Sequence, residues 1–112
     1  MEEDSLILSE GKKIIIQDNG LFSYDVTLRI GDSHSIFNSQ GKRINRADDI
    51  MIASHVWVGN KVTILKGTSL GENCVVGTGA ICTAGVFSNS VLCGILARVT
   101  KSDITWDGSR TN

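Results

Sequence analysis

The stretch VWVGNKVTILKGTSLGENCVVGTGA, residues 56–80, returns an aliphatic residue at every sixth position. A helix face repeats at 3.6 residues and a strand face at 2, so neither alone fixes a period of six. The aliphatic series, which extends beyond both ends of the stretch, is Ile52, Val58, Ile64, Leu70, Val76 and Cys82. Small or β-branched residues stand four positions after each: Val56, Val62, Thr68, Cys74, Ala80 and Val86. We expect both series to point inward, the aliphatic residues to fill the interior and the smaller ones to fit where the chain bends. The same register appears upstream at Ile16, Phe22 and Leu28.

A short strand of about four residues followed by a two-residue corner produces this period. Three such sides close a coil of about 18 residues, and successive coils stack through parallel ladders. Three glycines follow the aliphatic positions, Gly59, Gly71 and Gly77, and we expect them to form corners because glycine tolerates positive φ. The alternative, an antiparallel β-sandwich with frequent turns, has no reason to keep a fixed period. The pattern therefore predicts an all-β parallel β-helix of hexapeptide repeats.

Composition limits the classes of function. The 112 residues predict one small domain, and the formal net charge of −1 disfavours nucleic acid as the main partner. No apolar run is long enough to span a membrane, and the acidic start MEEDSLILSE predicts no secretion signal. The three cysteines lack CxxC spacing, so we expect a reduced, cytoplasmic protein in which Cys74 and Cys82 pack inward.

The repeat is interrupted once. Between His34 and Asp49 the inward positions hold His34, Gln40 and Arg46, none of them apolar. Irregular segments of this length are usually functional or disordered. We therefore divide the single domain into a lead-in (1–13), first coils (14–33), a projecting arm (34–49), regular coils (50–87) and a C-terminal closing segment (88–112).

Four stretches carry a resemblance to a known family: SYDVTLRIGDSHSIFNSQGKRIN, DIMIASHVWVGNKVTILKG, LGENCVVGTGAICTAG and NSVLCGILARV with a trailing ITW. Covering roughly residues 14 to 106, they resemble the hexapeptide-repeat acyltransferases, most closely the branch that O-acetylates sugars and polysaccharide precursors. The resemblance implies a left-handed β-helix and a homotrimer whose sites lie between subunits. It also implies acetyl-CoA as the donor, a sugar or glycan as the acceptor, and no metal.

The resemblance assigns His34, at the base of the arm, as the general base that deprotonates the acceptor hydroxyl. A histidine suits this role because its usual pKa, about 6.5, leaves it largely neutral near pH 7. Asp32 is a candidate to orient the imidazole, although the two side chains could point the same way without touching. The residues that match the family's coenzyme contacts are Trp57, Asn60, Thr78, Gly79, Thr83, Arg98 and Lys101.

Several of these assignments keep an alternative. Trp57 could instead be a subunit contact, and Arg98 and Lys101 could be ordinary solvated charges. The second histidine, His55, is expected to be a surface or interface residue. Cys93 has no base nearby in the sequence, so it is not expected to be a nucleophile.

Two other classes of protein share this fold. A zinc enzyme of the γ-type carbonic anhydrase kind needs three histidine ligands, whereas this chain has two. A non-catalytic trimeric module descended from an enzyme is the remaining alternative. The short lead-in before Lys13 favours it, because relatives commonly carry an extra N-terminal region there; activity is then expected to be weak or lost.

Overall fold

The computed structural model describes residues 4–7 and 9–111. Within them the chain forms a 3-10 helix at Ser9–Gly11 and thirteen short β-strands. None of its helical structure in these residues is long and apolar enough to cross a membrane. The strands are β1 (Asp4–Ile7), β2 (Lys13–Ile16), β3 (Leu21–Phe22), β4 (Thr27–Arg29), β5 (Ile50–Ile52), β6 (Trp57–Val58), β7 (Thr63–Leu65), β8 (Thr68–Leu70), β9 (Val75–Val76), β10 (Ile81–Cys82), β11 (Gly85–Phe87), β12 (Val91–Cys93) and β13 (Arg98–Lys101).

The strands form three sheets, which are the three sides of a prism. The first sheet has the order β1-β2-β5-β8-β11, the second β13-β12-β9-β6-β3, and the third β10-β7-β4. From β2 to β12 the chain visits the first, second and third sheets in turn, so three corners connect them. The first corner comprises residues 17–20, 53–56, 71–74 and 88–90; the second, 23–26, 59–62 and 77–80; the third, 30–49, 66–67 and 83–84.

The strand register confirms the six-residue repeat. Ile52 pairs with Leu70 in a parallel ladder, 18 residues away, which is one coil of three hexapeptides. Leu28 pairs with Ile64, 36 residues away, because the arm adds a further 18 residues without changing the register. The parallel β-helix is therefore confirmed, and the antiparallel sandwich is wrong.

The two predicted inward series make up most of the core, and Ile14, Ile30, Ile50 and Leu92 complete it. Burial is complete or nearly so, at 0–1% exposure, for Ile52, Val58, Ile64, Leu70, Val76, Cys82, Val56, Val62, Thr68, Cys74 and Ala80. The upstream residues Ile16, Phe22, Val26 and Leu28 are partly buried against this core. Each aliphatic side chain lies between those of the neighbouring coils, and this stacking is the main apolar contribution to stability.

The inward placement of Val86 was wrong: its side chain is 83% exposed. The chain between β10 and β11 is one residue shorter than the repeat requires, so Phe87 pairs with Leu70, 17 residues away. A shift of one residue moves every side chain of a strand to the opposite face. Gly85 consequently takes the position expected for Val86, opposite Thr68, and Phe87 packs against the core opposite Leu70.

The predicted reason for the repeat glycines was also wrong. Positive φ occurs three residues after the aliphatic position, at His55, Lys61, Gly67, Asn73 and Gly79. Gly59, Gly71 and Gly77 lack positive φ; a Cβ on each would lie within 2.7–3.0 Å of an atom in the next coil. These glycines therefore permit coils to approach closely.

The segment between β4 and β5, called the arm from here on, comprises residues 30–49 and so begins four residues before the predicted bound of 34. It contains a short hairpin in which Phe37 and Arg43 form an antiparallel bridge. At its base the Asp48 N–H donates to the Ile30 carbonyl oxygen at 2.9 Å, joining the outgoing and returning chains. The two ends of the arm are thus fixed together at the third corner, where Ile30 and Ala47 are buried.

Candidate active site

His34 lies at the base of the arm, in the third corner, with its side chain exposed. Its backbone is held on both sides: its N–H donates to the Asp32 carbonyl at 2.8 Å, and its carbonyl accepts from Asn45 Nδ2 at 2.8 Å. Among the described residues no hydrogen bond or ion pair occupies the imidazole. The ring is therefore open to a ligand outside the prism while the main chain beneath it is fixed.

The Asp32 carboxylate belongs to a network beside His34. Lys66 Nζ donates to Asp32 Oδ2 at 2.7 Å, and Asn45 Nδ2 donates to the same oxygen at 3.0 Å. The hydrogen bond from Lys66 is the main cause that lowers the pKa of Asp32, and the bond from Asn45 adds to it. Within residues 4–7 and 9–111 no hydrogen bond joins this carboxylate to the His34 imidazole.

Lys66 and Asn45 were not predicted as site residues. Lys66 also donates to the Arg46 carbonyl at 3.0 Å. It therefore joins the coil to both limbs of the arm, the outgoing limb that contains Asp32 and the returning limb that contains Arg46. Asn45 is only 7% exposed, although it belongs to a polar segment. Both residues lie in stretches that carry the family resemblance, Asn45 in KRIN and Lys66 in ILKG, but the sequence alone gives neither of them a role.

The arm is also tied to the N-terminal end of the described chain. Arg43 makes a bidentate ion pair with Glu10, at 2.7 and 2.9 Å. The hydrogen bonds from Arg43 are the main cause that lowers the pKa of Glu10. Three large apolar side chains of the arm nevertheless stay exposed: Ile36 (53%), Phe37 (61%) and Ile44 (61%).

The structure brings together three of the predicted coenzyme residues. Asn60, Thr78 and Gly79 lie in the second corner, on two successive coils. The Gly79 N–H donates to the Asn60 carbonyl at 2.8 Å, and Asn60 Oδ1 accepts from the Tyr24 N–H at 3.1 Å. Gly79 has a φ of 75°, and a Cβ there would meet nothing within 4 Å, so glycine is favoured here by its backbone conformation.

The other polar candidates lie elsewhere. Thr83 is in the third corner, as is His34, and its carbonyl accepts from the buried Thr68 hydroxyl at 2.9 Å. Arg98 and Lys101 are exposed on β13, which runs antiparallel to β12 at the end of the second sheet. Within one chain the predicted site residues are thus distributed over two corners and one sheet.

Trp57 begins β6 and is 39% exposed. Its ring lies against Trp106 of the C-terminal segment, with a centroid distance of 5.9 Å and an interplanar angle of 49°. The two rings, Leu21 and residues 107–111 line an open cavity of about 360 Å³. The C-terminal segment thus forms one wall of a cleft on the second sheet.

His55 is fixed by contacts that the sequence did not reveal. Its ring stacks on Trp106 at a centroid distance of 3.9 Å and an angle of 7°, and its Nδ1 lies 2.8 Å from Asn73 Oδ1. Trp106 Nε1 donates to the His55 carbonyl at 2.9 Å. His55 therefore holds the C-terminal segment against the first corner of its own chain.

The cysteines are free thiols. Burial raises the pKa of Cys74, and raises that of Cys82 to about 11. Both thiols are therefore protonated near neutral pH and act as small apolar core residues, as predicted. Over residues 4–7 and 9–111 no cluster of three or more His, Cys, Asp or Glu is arranged to hold a metal ion.

Comparison with known proteins identifies relatives of this chain, although no family model matches it. It is 40% identical over 101 residues to a polysialic acid O-acetyltransferase of Escherichia coli O1:K1 / APEC, covering 89% of this chain and 33% of that protein. The chain thus spans about a third of that relative's length.

Two solved structures resemble the fold. The polySia-specific acetyltransferase NeuO superposes with a TM-score of 0.76 at 38% identity, covering 92% of this chain and 53% of that chain. A galactoside acetyltransferase in complex with coenzyme A superposes with a TM-score of 0.69 at 29% identity, covering 80% of this chain and 45% of the other. The repeat, its 18-residue coils and these relatives agree: the chain belongs to the hexapeptide-repeat acyltransferases with a left-handed β-helix, and the relatives that it matches are named as acetyltransferases of polysialic acid and of galactosides.

Proposed function

We propose that the chain forms the catalytic β-helix of an acetyl-CoA-dependent O-acetyltransferase that modifies a hydroxyl group of a sugar or glycan. The observation that carries the proposal is the exposed His34 imidazole on a hydrogen-bonded main chain at the base of the arm. The names of the relatives, which act on polysialic acid and galactosides, support this class of acceptor.

In the proposed reaction His34 acts as the general base. Its ring takes the proton of the acceptor hydroxyl while that oxygen attacks the thioester carbonyl carbon. As the carbon–sulfur bond breaks, His34 returns the proton to the leaving sulfur, so the ring is neutral again when the O-acetyl ester and the free thiol depart. A backbone N–H group is proposed to stabilise the negative charge that develops on the thioester oxygen.

The coenzyme is proposed to lie along a groove that includes Asn60, Thr78 and Gly79. Their corner offers small side chains and backbone groups, which suit the amide groups of a pantetheine arm. Trp57 and Thr83 are proposed to complete the groove. Arg98 and Lys101 remain the proposed partners of the nucleotide phosphates, since both are exposed cations on one strand.

A homotrimer is proposed because one chain does not bring these residues together. His34 is at the third corner, whereas Trp57 follows the first corner. A site that uses both must take them from neighbouring copies related by symmetry. The exposed apolar side chains of the arm, such as Phe37 at 61% exposure, would then be covered by the adjacent copy.

The test is transfer of an acetyl group from acetyl-CoA to oligosialic acid and to galactosides, comparing the wild type with His34→Asn. We expect His34→Asn to lower kcat by about 10²–10⁴-fold, because general-base catalysis is lost, with little change in coenzyme affinity. Coenzyme binding without any His34-dependent transfer would instead identify the alternative, a non-catalytic binding module. A cytoplasmic location stays a prediction.

A further inference from the structure

Asn45 uses the full hydrogen-bonding capacity of its side-chain amide. Oδ1 accepts from the Ile36 N–H at 2.7 Å and from Arg43 Nε at 3.2 Å. Nδ2 donates to Asp32 Oδ2 at 3.0 Å and to the His34 carbonyl at 2.8 Å. An amide offers two donors and two lone pairs, so no capacity is left over.

The network specifies which way the amide points. A flipped Asn45 would direct its NH₂ group at two N–H donors and its oxygen at a carboxylate and a carbonyl. Because the side chain is 7% exposed, water cannot easily replace the lost partners. The orientation seen is therefore the one that satisfies every group.

The bonds join the two limbs of the arm across its base. Asn45 is on the returning limb, whereas Asp32 and His34 are on the outgoing limb. Lys66 binds both limbs from the neighbouring coil, through Asp32 and the Arg46 carbonyl. Asn45 is the member of this network whose side chain bonds to the His34 main chain.

We propose that Asn45 is a positioning residue for His34: by holding the His34 carbonyl and the Asp32 carboxylate, it fixes the main chain from which the imidazole projects. The catalytic part of this inference rests on the proposed function. Holding a reacting group in place contributes strongly to rate, and a misplacement of about 1 Å costs roughly 10²-fold.

The decisive variant is Asn45→Asp. It keeps the shape of the side chain and the oxygen that accepts from Ile36 and Arg43. It replaces the NH₂ group with an oxygen that faces two acceptors, so the bonds to Asp32 and His34 are lost, and a second carboxylate takes the place of the group that lay 3.0 Å from Asp32 Oδ2. The variant therefore breaks both contacts that the proposal needs, and repulsion between the two carboxylates acts in the same direction.

Asn38→Asp is the matched control. Asn38 lies in the same arm, and its Oδ1 accepts from the Gln40 N–H at 2.9 Å and the Lys42 N–H at 3.0 Å. A carboxylate can accept both bonds, so this variant adds the same charge to the same arm without losing a contact. Asn38→Asp therefore measures what a negative charge in the arm does when every contact is kept.

Two readouts are measured on the full chain. In steady-state transfer we expect Asn45→Asp to lower kcat about 10- to 100-fold with an unchanged KM for acetyl-CoA, and Asn38→Asp to stay within about twofold of the wild type. In NMR spectra we expect Asn45→Asp to shift and broaden the His34 ring signals and to speed amide exchange in the arm, whereas Asn38→Asp leaves both unchanged.

The outcomes separate the two claims. If the wild type shows no transfer, the proposed function fails, and the NMR comparison alone decides whether Asn45 orders His34. If Asn45→Asp matches Asn38→Asp in its spectra, the positioning role is refuted. A parallel rise in KM with an unchanged kcat would also refute it, because the loss would then lie in binding.

Discussion

Gly77→Ala offers a direct test of how closely the coils approach. A Cβ at residue 77 would lie 2.9 Å from Cys93 Sγ on the next coil, roughly 0.6–1 Å short of ordinary contact. Overpacking of this kind costs about 1–3 kcal/mol of unfolding free energy. Once Cys93→Ala removes the sulfur, the nearest atoms are the Leu92 oxygen at 3.5 Å and Cys93 Cβ at 3.8 Å, both ordinary contacts.

In the Cys93→Ala background, Gly77→Ala should therefore become neutral or stabilising. Since φ at Gly77 is not positive, alanine fits the backbone and restricts the unfolded chain, a gain of about 0.4–1 kcal/mol. This gain is the same in both backgrounds and cancels in the comparison, so relief of the clash alone predicts a favourable coupling of about 1–3 kcal/mol between the two substitutions. A double-mutant cycle measured by urea unfolding, at one protein concentration because association adds to stability, provides the value. A coupling below about 0.5 kcal/mol would refute the close approach as the reason for glycine.

Three further outcomes are expected. The lowered pKa of Asp32 means that its ionised carboxylate stabilises the arm at pH values above the usual pKa of 3.8, and that this stabilisation is lost as the pH falls through the lower pKa of the folded state. Hydrogen exchange at the base of the arm should become faster over this pH range in the wild type. The change should be smaller in Lys66→Met, which lacks the main cause of the lowered pKa. Trp106→Ala removes the ring stacked on His55 and one hydrogen bond, so urea unfolding should show a loss of about 1–3 kcal/mol in the free energy of unfolding. The emission of the remaining tryptophan, Trp57, should shift to the red. An unchanged urea midpoint would contradict the contact. Val86→Thr should change stability by no more than about 0.5 kcal/mol, whereas Val62→Thr, at a fully buried position, should cost about 1–3 kcal/mol; equal costs would contradict the shifted register.

The fold was predictable because the repeat is a local pattern with a single structural solution. Inward residues such as Val58 and Ile64 recur at a spacing that only stacked triangular coils satisfy. The shift at Val86 was not predictable, because the next residue, Phe87, is also apolar and either could face inward. The shorter connection that decides between them depends on how the last coils stack, which the pattern does not encode.

The site could be predicted from the sequence less completely than the fold. His34 and the coenzyme candidates came from family resemblance, and their roles stay predictions. The contacts around them could not be read from the chain, because they join distant residues: Lys66 meets Asp32 across 34 positions, and Trp106 meets His55 across 51. Such pairs have no periodic signal, since each occurs once.

The antiparallel strands at the ends of the prism have a consequence for solubility. A stack of parallel coils could in principle be extended without limit, since each exposed rim is a template for another copy's strands. Here β1 runs against β2 on the first sheet and β13 runs against β12 on the second, at opposite ends of the stack. A second prism arriving end-on meets a reversed strand on one side at either rim, so it cannot continue all three ladders at once. Two short reversals thus protect a structure built from repeats against growing into a fibre.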